Sequence, residues 1–307
     1  MKLKSMRYRL VSNKRSALNK PSVLSWLLFS VLVAYCVSLI FPVLWAFSTS
    51  LKTRSDFVEN LFGLPKSWEW ENYKLSLDYF YVDVYGAGGV TTRVNFLQMF
   101  TFSLYHSLMG PLIAGFSNLC VSYLCARYDN KFSRFVTTLV ILTIIIPIVG
   151  SLPSSLMIHR MLGLYDNLWL IEFAGIGAFG GINYLIYRGR YSGISRAYAE
   201  AAEIDGASHL QVMFKIMLPF GMNLFSIFYL MGFIGHWNDY SASLIYLPSY
   251  PMAAYGLYLF SQSTNNATAS VPMRLAGSFL LCLPIAILFF IFRKKLIGNI
   301  AVGGLKG

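Results

Sequence analysis

Residues 197–219 read AYAEAAEIDGASHLQVMFKIMLP and separate two strongly apolar runs of the chain. The first part, from Ala197 to Asp205, is rich in alanine, which favours helix and adds little side-chain bulk. Gly206 follows where a helix C-terminus favours glycine. The pattern predicts a short, smooth helix that could lie in a groove of another protein, although an ordinary alanine-rich loop helix would have the same composition.

The spacing in this stretch resembles the EAA loop of ABC-importer membrane subunits, and Asp205 with Ala207 makes it most similar to the carbohydrate-uptake branch and its maltose-type second permeases. In that family the loop is the coupling helix, which docks into a cleft on a separate ATPase subunit. Three positions depart from the family pattern, at Ser195, Ala197 and Tyr198. The matching positions are Glu200, Ala201, Ala202, Asp205, Gly206, Ile216, Leu218 and Pro219.

Composition places the chain in a lipid bilayer. It is 56% hydrophobic and only 12% charged, which is too apolar for an ordinary soluble domain. Its net charge of +12 would suit a nucleic-acid partner, but the charges fall in short clusters between apolar runs. That distribution is typical of membrane topology rather than of nucleic-acid binding.

Six apolar runs predict an all-α polytopic membrane protein with six transmembrane helices. Placing both termini in the cytoplasm leaves 18 of the 25 Lys and Arg residues on the inner side, as the positive-inside rule requires. Lys52 and Arg54 are exceptions to this count, and Asp56 is a possible ion-pair partner for them. The resemblance implies the type I importer permease fold. The predicted spans are residues 22–47, 99–125, 135–158, 168–187, 214–237 and 271–292.

This topology divides the chain into a basic cytoplasmic arm (1–21), a six-span permease domain (22–292) and a cytoplasmic tail (293–307). The permease domain includes an external loop at 51–97 and the cytoplasmic coupling loop at 188–219. Within the external loop, residues 78–93 have no counterpart in the family. They are either a tolerated insertion or a substrate-specific element.

Polar residues and proline breaks within the spans mark candidate positions on a translocation path, because such residues in lipid are costly and often functional. Each has a structural alternative: a buried His usually bonds a neighbouring helix, and Trp237 and Tyr240 beside the last candidates are typical interface anchors. Asn238 and Asp239 could hydrogen-bond sugar hydroxyls at the external mouth. The candidates are His106, Asn118, Pro147, Asn238 and Asp239.

Catalytic and cofactor motifs are missing from the sequence. It contains no G-x-x-x-x-G-K-[ST] phosphate loop and no G-x-S-x-G nucleophile motif, so we expect no enzymatic activity in this chain. The four cysteines form no C-x-x-C pair, and we expect no disulfide, metal or cofactor.

The resemblance implies several partners in a bacterial cytoplasmic membrane. These are a homologous second permease, two ATP-binding ATPase subunits and an extracytoplasmic solute-binding protein that delivers a sugar or oligosaccharide. A self-contained secondary transporter driven by an ion gradient is the alternative. It would need ionisable residues near the middle of the membrane and repeated halves. The sequence has no clear repeat, and Glu172, His236 and Asp239 lie near predicted span ends.

Overall fold

A computed structural model of the chain describes two compact units, the first ending at Trp70 and the second beginning at Glu71. The predicted arm (1–21), the end of the predicted tail (301–307) and Pro147 lie outside the described residues. Side chains are described up to residue 292. The described ranges are 23–86, 89–146, 150–177, 180–262 and 270–300.

The first unit is built on a long apolar helix, α1 (Val23–Ser50), followed by the short helix α2 (Arg54–Glu59). At 1.5 Å per residue, α1 is about 42 Å long and exceeds the roughly 30 Å hydrocarbon core of a bilayer. Its side chains from residue 23 to residue 44 are exposed. Such an apolar, exposed helix is suited to lipid contact.

Lys52, an exception in the topology count, is fully buried in the first unit. Its Nζ donates a hydrogen bond to the carbonyl oxygen of Asn60 at 2.6 Å. Asp56, the ion-pair partner suggested by the sequence, accepts the backbone N–H of Lys66 at 2.9 Å. The lysine charge is therefore satisfied by backbone dipoles of the same unit.

The second unit contains a central helix whose contacts with three other helical segments are the most extensive in the unit. This helix begins with a capping box at Asn95 and ends with Arg127. In chain order the elements are α3 (Glu71–Tyr79), β1 (Tyr81–Tyr85), β2 (Thr91–Asn95), the central α4 (Phe96–Arg127), α5 (Lys131–Ile145), α6 (Leu152–Met161), a first 3₁₀ helix (Ile171–Gly177), α7 (Gly181–Ser192), α8 (Ala197–Ile204), α9 (His209–Gln211), a π helix (Val212–Met217), a second 3₁₀ helix (Leu218–Gly221), α10 (Met222–Trp237), α11 (Ser241–Ile245), α12 (Ala253–Gln262) and α13 (Val271–Ile300).

Four helical segments of the described residues are long and apolar enough to cross a membrane. They correspond to the first, second, fifth and sixth predicted spans, and the predominance of helix in the predicted fold class is confirmed. The observed segments start or end within about five residues of the predicted limits. They are Val23–Ser50, Phe96–Arg127, His209–Trp237 and Val271–Phe292.

The third and fourth predicted spans are each divided into shorter helices. In the third, Ile145 ends α5, and Gly150 then adopts a left-handed φ of 77° before Pro153 enters the first turn of α6. In the fourth, Gly181 has a φ of 63° between the first 3₁₀ helix and α7. The 12 residues of α7 extend about 18 Å, less than a bilayer core. Glycine and proline thus break the third run, and glycine breaks the fourth.

The region predicted as an insertion, residues 78–93, forms most of an antiparallel hairpin. β1 and β2 pair from Tyr81 with Asn95 to Tyr85 with Thr91. Phe80, at the entrance to the hairpin, is buried against the rings of Phe96 and Phe260, with centroids 5.3 and 5.8 Å away. The hairpin is therefore packed into the core of the second unit, and the chain here is not purely α-helical.

The burial of Phe80 predicts a large stability difference within the hairpin. Phe80→Ala should lower the free energy of unfolding by about 3 kcal/mol, because it removes a buried ring and leaves a cavity. Tyr85→Ala is the matched control: Tyr85 is 81% exposed, and its loss should change stability by less than about 0.5 kcal/mol. Thermal unfolding of the purified protein in detergent measures both, and equal shifts would contradict the packing role of Phe80.

Candidate functional site

The EAA loop presents one buried and one exposed face. On α8, Ala199 is fully buried and Ala202 nearly so, while Glu200, Ala201 and Asp205 are exposed. The spacing of three residues between the buried alanines places them on one side of the helix. The acidic side chains of Glu200 and Asp205 therefore lie on the surface, outside the packed alanine face.

Gly206 ends the helix in the way the sequence predicted. Its φ of 83° is in the left-handed region, and its N–H donates to the carbonyl of Glu203 at 3.1 Å. The N–H of Ala207 donates to the carbonyl of Ala202 at 2.9 Å, which completes a Schellman motif. A Cβ at position 206 would meet no atom within 4 Å, so the demand for glycine comes from the backbone alone.

The chain re-enters the long helical segment through irregular turns. Ser208 forms a capping box with Gln211, after which the backbone adopts a π helix. Pro219 then lies in the first turn of the second 3₁₀ helix, where its missing N–H breaks no helical bond. Of the remaining predicted coupling residues, Ile216 is half-buried and Leu218 is buried.

An aromatic and aliphatic cluster holds this loop against α4, α7 and α10. The Tyr191 hydroxyl donates to the Leu218 carbonyl at 3.4 Å, and a Cβ at Gly221 would lie only 2.2 Å from that hydroxyl. Burial raises the pKa of Tyr191 above its ordinary value, so the hydroxyl stays protonated and keeps its role as a donor. The buried members are Leu119, Tyr123, Tyr187, Tyr191, Ala199, Ala202, Val212, Met213, Met217, Leu218 and Phe225.

Glu203 connects the loop to the central helix. Its Oε1 lies 3.3 Å from Nδ1 of His209 and 3.8 Å from a guanidinium nitrogen of Arg127 at the end of α4. The side chain is partly exposed, so each contact contributes little energy alone. Glu203 lies within residues 197–219, but the local pattern does not predict this link, because it depends on the position of Arg127 in the fold.

A polar pocket of about 340 Å³ lies between α4, the first 3₁₀ helix and α10. At its wall, Nδ1 of His106 is 2.6 Å from Oε1 of Glu172, and both side chains are buried. His106 therefore faces the interior and bonds a neighbouring element. The polar side chains that line the pocket are His106, His159, Glu172, His236, Asp239 and Tyr246.

His236 extends this pair into a cluster. Its ring centroid is 4.7 Å from that of His106, and its Nδ1 lies 2.9 Å from the carbonyl of Gly232. Because a carbonyl only accepts, Nδ1 carries a proton and Nε2 is left for the pocket. A Cβ at Gly110 would lie 2.7 Å from Oε2 of Glu172 and 2.8 Å from Nε2 of His236, so glycine makes room for the cluster.

The other predicted path residues have separate positions. Asp239 lines the polar pocket, but its Oδ1 also accepts the backbone N–H groups of Ser241 and Ala242 at the start of α11. Asn118 is buried and donates to the carbonyl of Gly180 at 3.2 Å, outside the pocket. Asn238 is exposed and donates to the carbonyl of Ile234. The structure thus brings together two of the candidates, His106 and Asp239.

Sequence reasoning missed the pairing of Glu172 and His236 with His106. It placed Glu172 and His236 near span ends, where ionisable groups often lie in headgroups. Their rarity in otherwise apolar runs was the available signal, because an ionisable residue in a span tends to face a polar partner.

The class of protein follows from a family comparison. Residues 118–298 match the family of binding-protein-dependent transport system inner membrane components. The match covers more than half of the chain and includes the EAA loop. The chain belongs to this family, and the resemblance drawn from residues 200–219 is confirmed.

Individual relatives agree with that family. The chain is 26% identical over 292 residues to the galactooligosaccharides transport system permease protein GanQ of Bacillus subtilis, covering 92% of this chain and 96% of GanQ. It is 24% identical over 319 residues to the maltose/maltodextrin transport system permease protein MalG of Photorhabdus laumondii, covering 95% of this chain and all of MalG.

A solved structure has the same fold. A chain of a bacterial ABC transporter involved in the import of the acidic polysaccharide alginate superposes with a TM-score of 0.72 at 18% identity. The superposition covers 89% of this chain and 96% of that one. The permease fold of an ABC importer is therefore shared.

The close approach at Gly110 predicts opposite effects for two Gly→Ala changes in the long helices. Gly235→Ala should stabilise the protein by up to about 1 kcal/mol, because a Cβ there meets nothing within 4 Å and alanine favours helix. Gly110→Ala should instead destabilise it by about 2 kcal/mol, because the methyl group would separate Glu172 from its buried partner. Thermal unfolding of the two variants in detergent measures both stability changes. A stabilised Gly110→Ala protein would contradict the described cluster of Glu172 and His236.

Proposed function

We propose that this chain is one of the two permease subunits of a binding-protein-dependent ABC importer for a sugar or oligosaccharide. The observation that carries the proposal is the EAA helix, which is packed on one face, is capped by Gly206 and exposes Glu200 and Asp205 at the surface. The substrate class is supported by relatives named for galactooligosaccharide, maltodextrin and arabinooligosaccharide transport.

Coupling to ATP hydrolysis is proposed to run through α8. Glu200 and Asp205 would pair with basic groups in the ATPase cleft, and Ile204, which is 86% exposed, would fill an apolar part of it. Ala201 is exposed beside them and permits close approach. Ala202 and Leu218 on the buried side, with half-buried Ile216 and the turn at Pro219, would transmit the movement into α10.

Six membrane crossings with both termini in the cytoplasm remain our proposed topology. The third and fourth crossings would each be assembled from two short helical pieces. The breaks, at glycine and proline in the third and at glycine in the fourth, would be packed by the neighbouring helices, as lipid requires of irregular backbone. The domain limits proposed from sequence, 1–21, 22–292 and 293–307, are retained. Arg127, Arg188 and Arg196 would then lie at the cytoplasmic face.

The translocation path is proposed to pass the polar pocket. His106, Glu172, His236 and Asp239 offer hydrogen-bonding groups in an otherwise apolar bundle, as sugar hydroxyls need. Predicted path residues Asn118 and Asn238 lie elsewhere, and their contacts favour structural roles. Pro147 remains a candidate on sequence grounds alone.

The partners of the proposed importer are a second permease, two ATPase subunits that hydrolyse ATP, and an extracytoplasmic binding protein. In this proposal the chain itself catalyses no reaction and lies in the bacterial cytoplasmic membrane as a multi-pass subunit. Membership in the family of binding-protein-dependent inner membrane components supports this arrangement.

An ion-driven secondary transporter is the second candidate, and one observation favours it. The buried cluster of His106, Glu172 and His236 is the kind of ionisable group that proton coupling uses within a membrane. The family match and the EAA loop weigh more than this cluster. A self-contained transporter needs neither a binding protein nor a loop that contacts an ATPase.

The backbone of Gly206 gives a direct test of coupling. Gly206→Val should lower solute uptake and stimulated ATPase activity at least tenfold, because a β-branched residue at φ 83° costs about 1–2 kcal/mol and displaces α8. Gly206→Asn is the control: asparagine tolerates this conformation, so most activity should remain. Wild-type uptake by an assembled Gly206→Val transporter would refute the role of the turn.

Co-purification tests the proposed function as a whole. The tagged chain is extracted from native membranes with the products of neighbouring genes, and ATPase activity is measured with and without sugar-loaded binding protein. We expect an ATPase and a second permease to purify with it, and hydrolysis to rise with loaded binding protein. A chain that purifies alone and moves solute down an imposed ion gradient would establish the secondary transporter instead.

A further inference from the structure

A second recess, partly open to the surface and here called the basic pocket, has a volume of about 280 Å³. It lies where the end of α4, the end of α7 and the start of α8 meet. Three arginines from these elements line it: Arg127, Arg188 and Arg196. No role assigned to the EAA loop above uses this pocket.

Acidic neighbours do not cancel its charge. Asp129 also lines the pocket, but its Oδ1 lies 3.4 Å from Nε of Arg134, outside the lining residues. Glu203 approaches Arg127 at 3.8 Å. Arg188 and Arg196 are left without an acidic partner among the described residues, so the pocket has an excess of about two positive charges.

Arg188 gives an independent indication that a ligand is expected. Its Nε is buried, and within the described part of the chain it donates to no hydrogen-bond acceptor. Leaving such a charged donor unsatisfied costs more than an ordinary lost hydrogen bond. Nε has no accessible surface in the present side-chain position, so an anion in the pocket would supply the missing acceptor once the guanidinium turned toward it.

We propose that the basic pocket binds a phosphate group. The planar guanidinium fork matches tetrahedral oxyanions and can donate two parallel hydrogen bonds to one of them. Two unneutralised arginines match the charge of a phosphate, and the volume of the pocket admits one with several waters. The hydroxyl-bearing side chains Tyr191 and Ser192 also line the pocket.

The position suggests what a bound phosphate would do. Arg196 directly precedes α8, Arg188 lies near the end of α7, and Arg127 ends α4. One phosphate contacting all three would bridge these elements and hold the start of the EAA helix. This mechanical consequence rests on the proposed function, whereas binding itself does not.

The phosphate has two possible sources, a phospholipid headgroup and free phosphate in the cytoplasm. Basic pockets beside membrane helices on the cytoplasmic side are suited to anionic headgroups. The chemistry of recognition is the same in both cases, and the experiment below separates them.

The test follows thermal unfolding of the full chain in nanodiscs of phosphatidylcholine. Inorganic phosphate is titrated at constant ionic strength with chloride, and acetate is titrated in parallel. A second set of nanodiscs contains phosphatidylglycerol and no added phosphate. We expect a saturable rise of the unfolding temperature, about 5 °C at a hundred times the dissociation constant, with phosphate or with phosphatidylglycerol.

Three variants localise the effect. Arg188→Gln and Arg196→Gln should each weaken binding about tenfold or more, because each removes charge-assisted hydrogen bonds. Arg190→Gln is the matched control: Arg190 belongs to the same helix, is exposed and does not line the pocket, so its shift should equal that of the wild type. Arg196 is exposed, so its variant should fold even where Arg188→Gln does not.

The outcomes discriminate clearly. If phosphate raises the unfolding temperature in phosphatidylcholine nanodiscs, the ligand is a soluble phosphate. If only phosphatidylglycerol raises it, the ligand is a lipid headgroup. Both results support the proposal. Equal shifts with acetate, equal loss in Arg190→Gln, or no shift with either phosphate source would overturn it. Because no transport is measured, these results are independent of the proposed function.

Discussion

Tight packing of the alanine face of α8 against the neighbouring side chains is the constraint on which the site depends. Ala199 and Ala202 are buried in the cluster that also contains Leu119 and Tyr191. Larger side chains there would move the helix outward, and the turn at Gly206 would then point elsewhere. Small residues thus fix the helix in place, while the residues between them remain free to carry charge.

A similar use of small residues makes the polar pocket possible. Gly110 leaves space for the carboxylate of Glu172 and the imidazole of His236. A Cβ added at Gly175 would lie only 3.2 Å from the Cβ of Ala114, so glycine permits close packing there as well. Burying a carboxylate is costly unless it is paired, and His106 supplies the partner at 2.6 Å. Gly110 thus supplies the space and His106 the hydrogen-bond partner that allow the apolar bundle to bury the carboxylate of Glu172.

Much of the architecture could be predicted from the sequence because two of its signals are local. Long apolar runs gave four of the spans to within a few residues, and the spacing from Glu200 to Pro219 identified the loop. The hairpin was missed although Tyr81 to Tyr85 alternates in polarity and is rich in β-branched and aromatic residues. Because residues 78–93 have no counterpart in the family pattern, they were interpreted as an insertion and not as a pair of strands.

Contacts between distant segments could not be predicted. Nothing in the sequence places Glu172 beside His106, 66 positions away, because that pairing depends on how the first 3₁₀ helix packs on α4. The division of the third and fourth spans had visible causes in Gly150, Pro153 and Gly181. Whether such residues kink a helix or end it is decided by neighbouring elements, so the sequence alone left that choice open.

Cysteine cross-linking tests the central claim, that the exposed face of the EAA helix docks on an ATPase subunit, most directly. In a variant lacking the four native cysteines, Ile204→Cys and Tyr85→Cys are each co-expressed with the ATPase and treated with a short bifunctional reagent. We predict a cross-linked product with Ile204→Cys, whose position is 86% exposed, and none with Tyr85→Cys, whose position is 81% exposed but lies in the proposed external loop. Failure of Ile204→Cys to cross-link in an assembled complex, or equal products from both variants, would contradict the account.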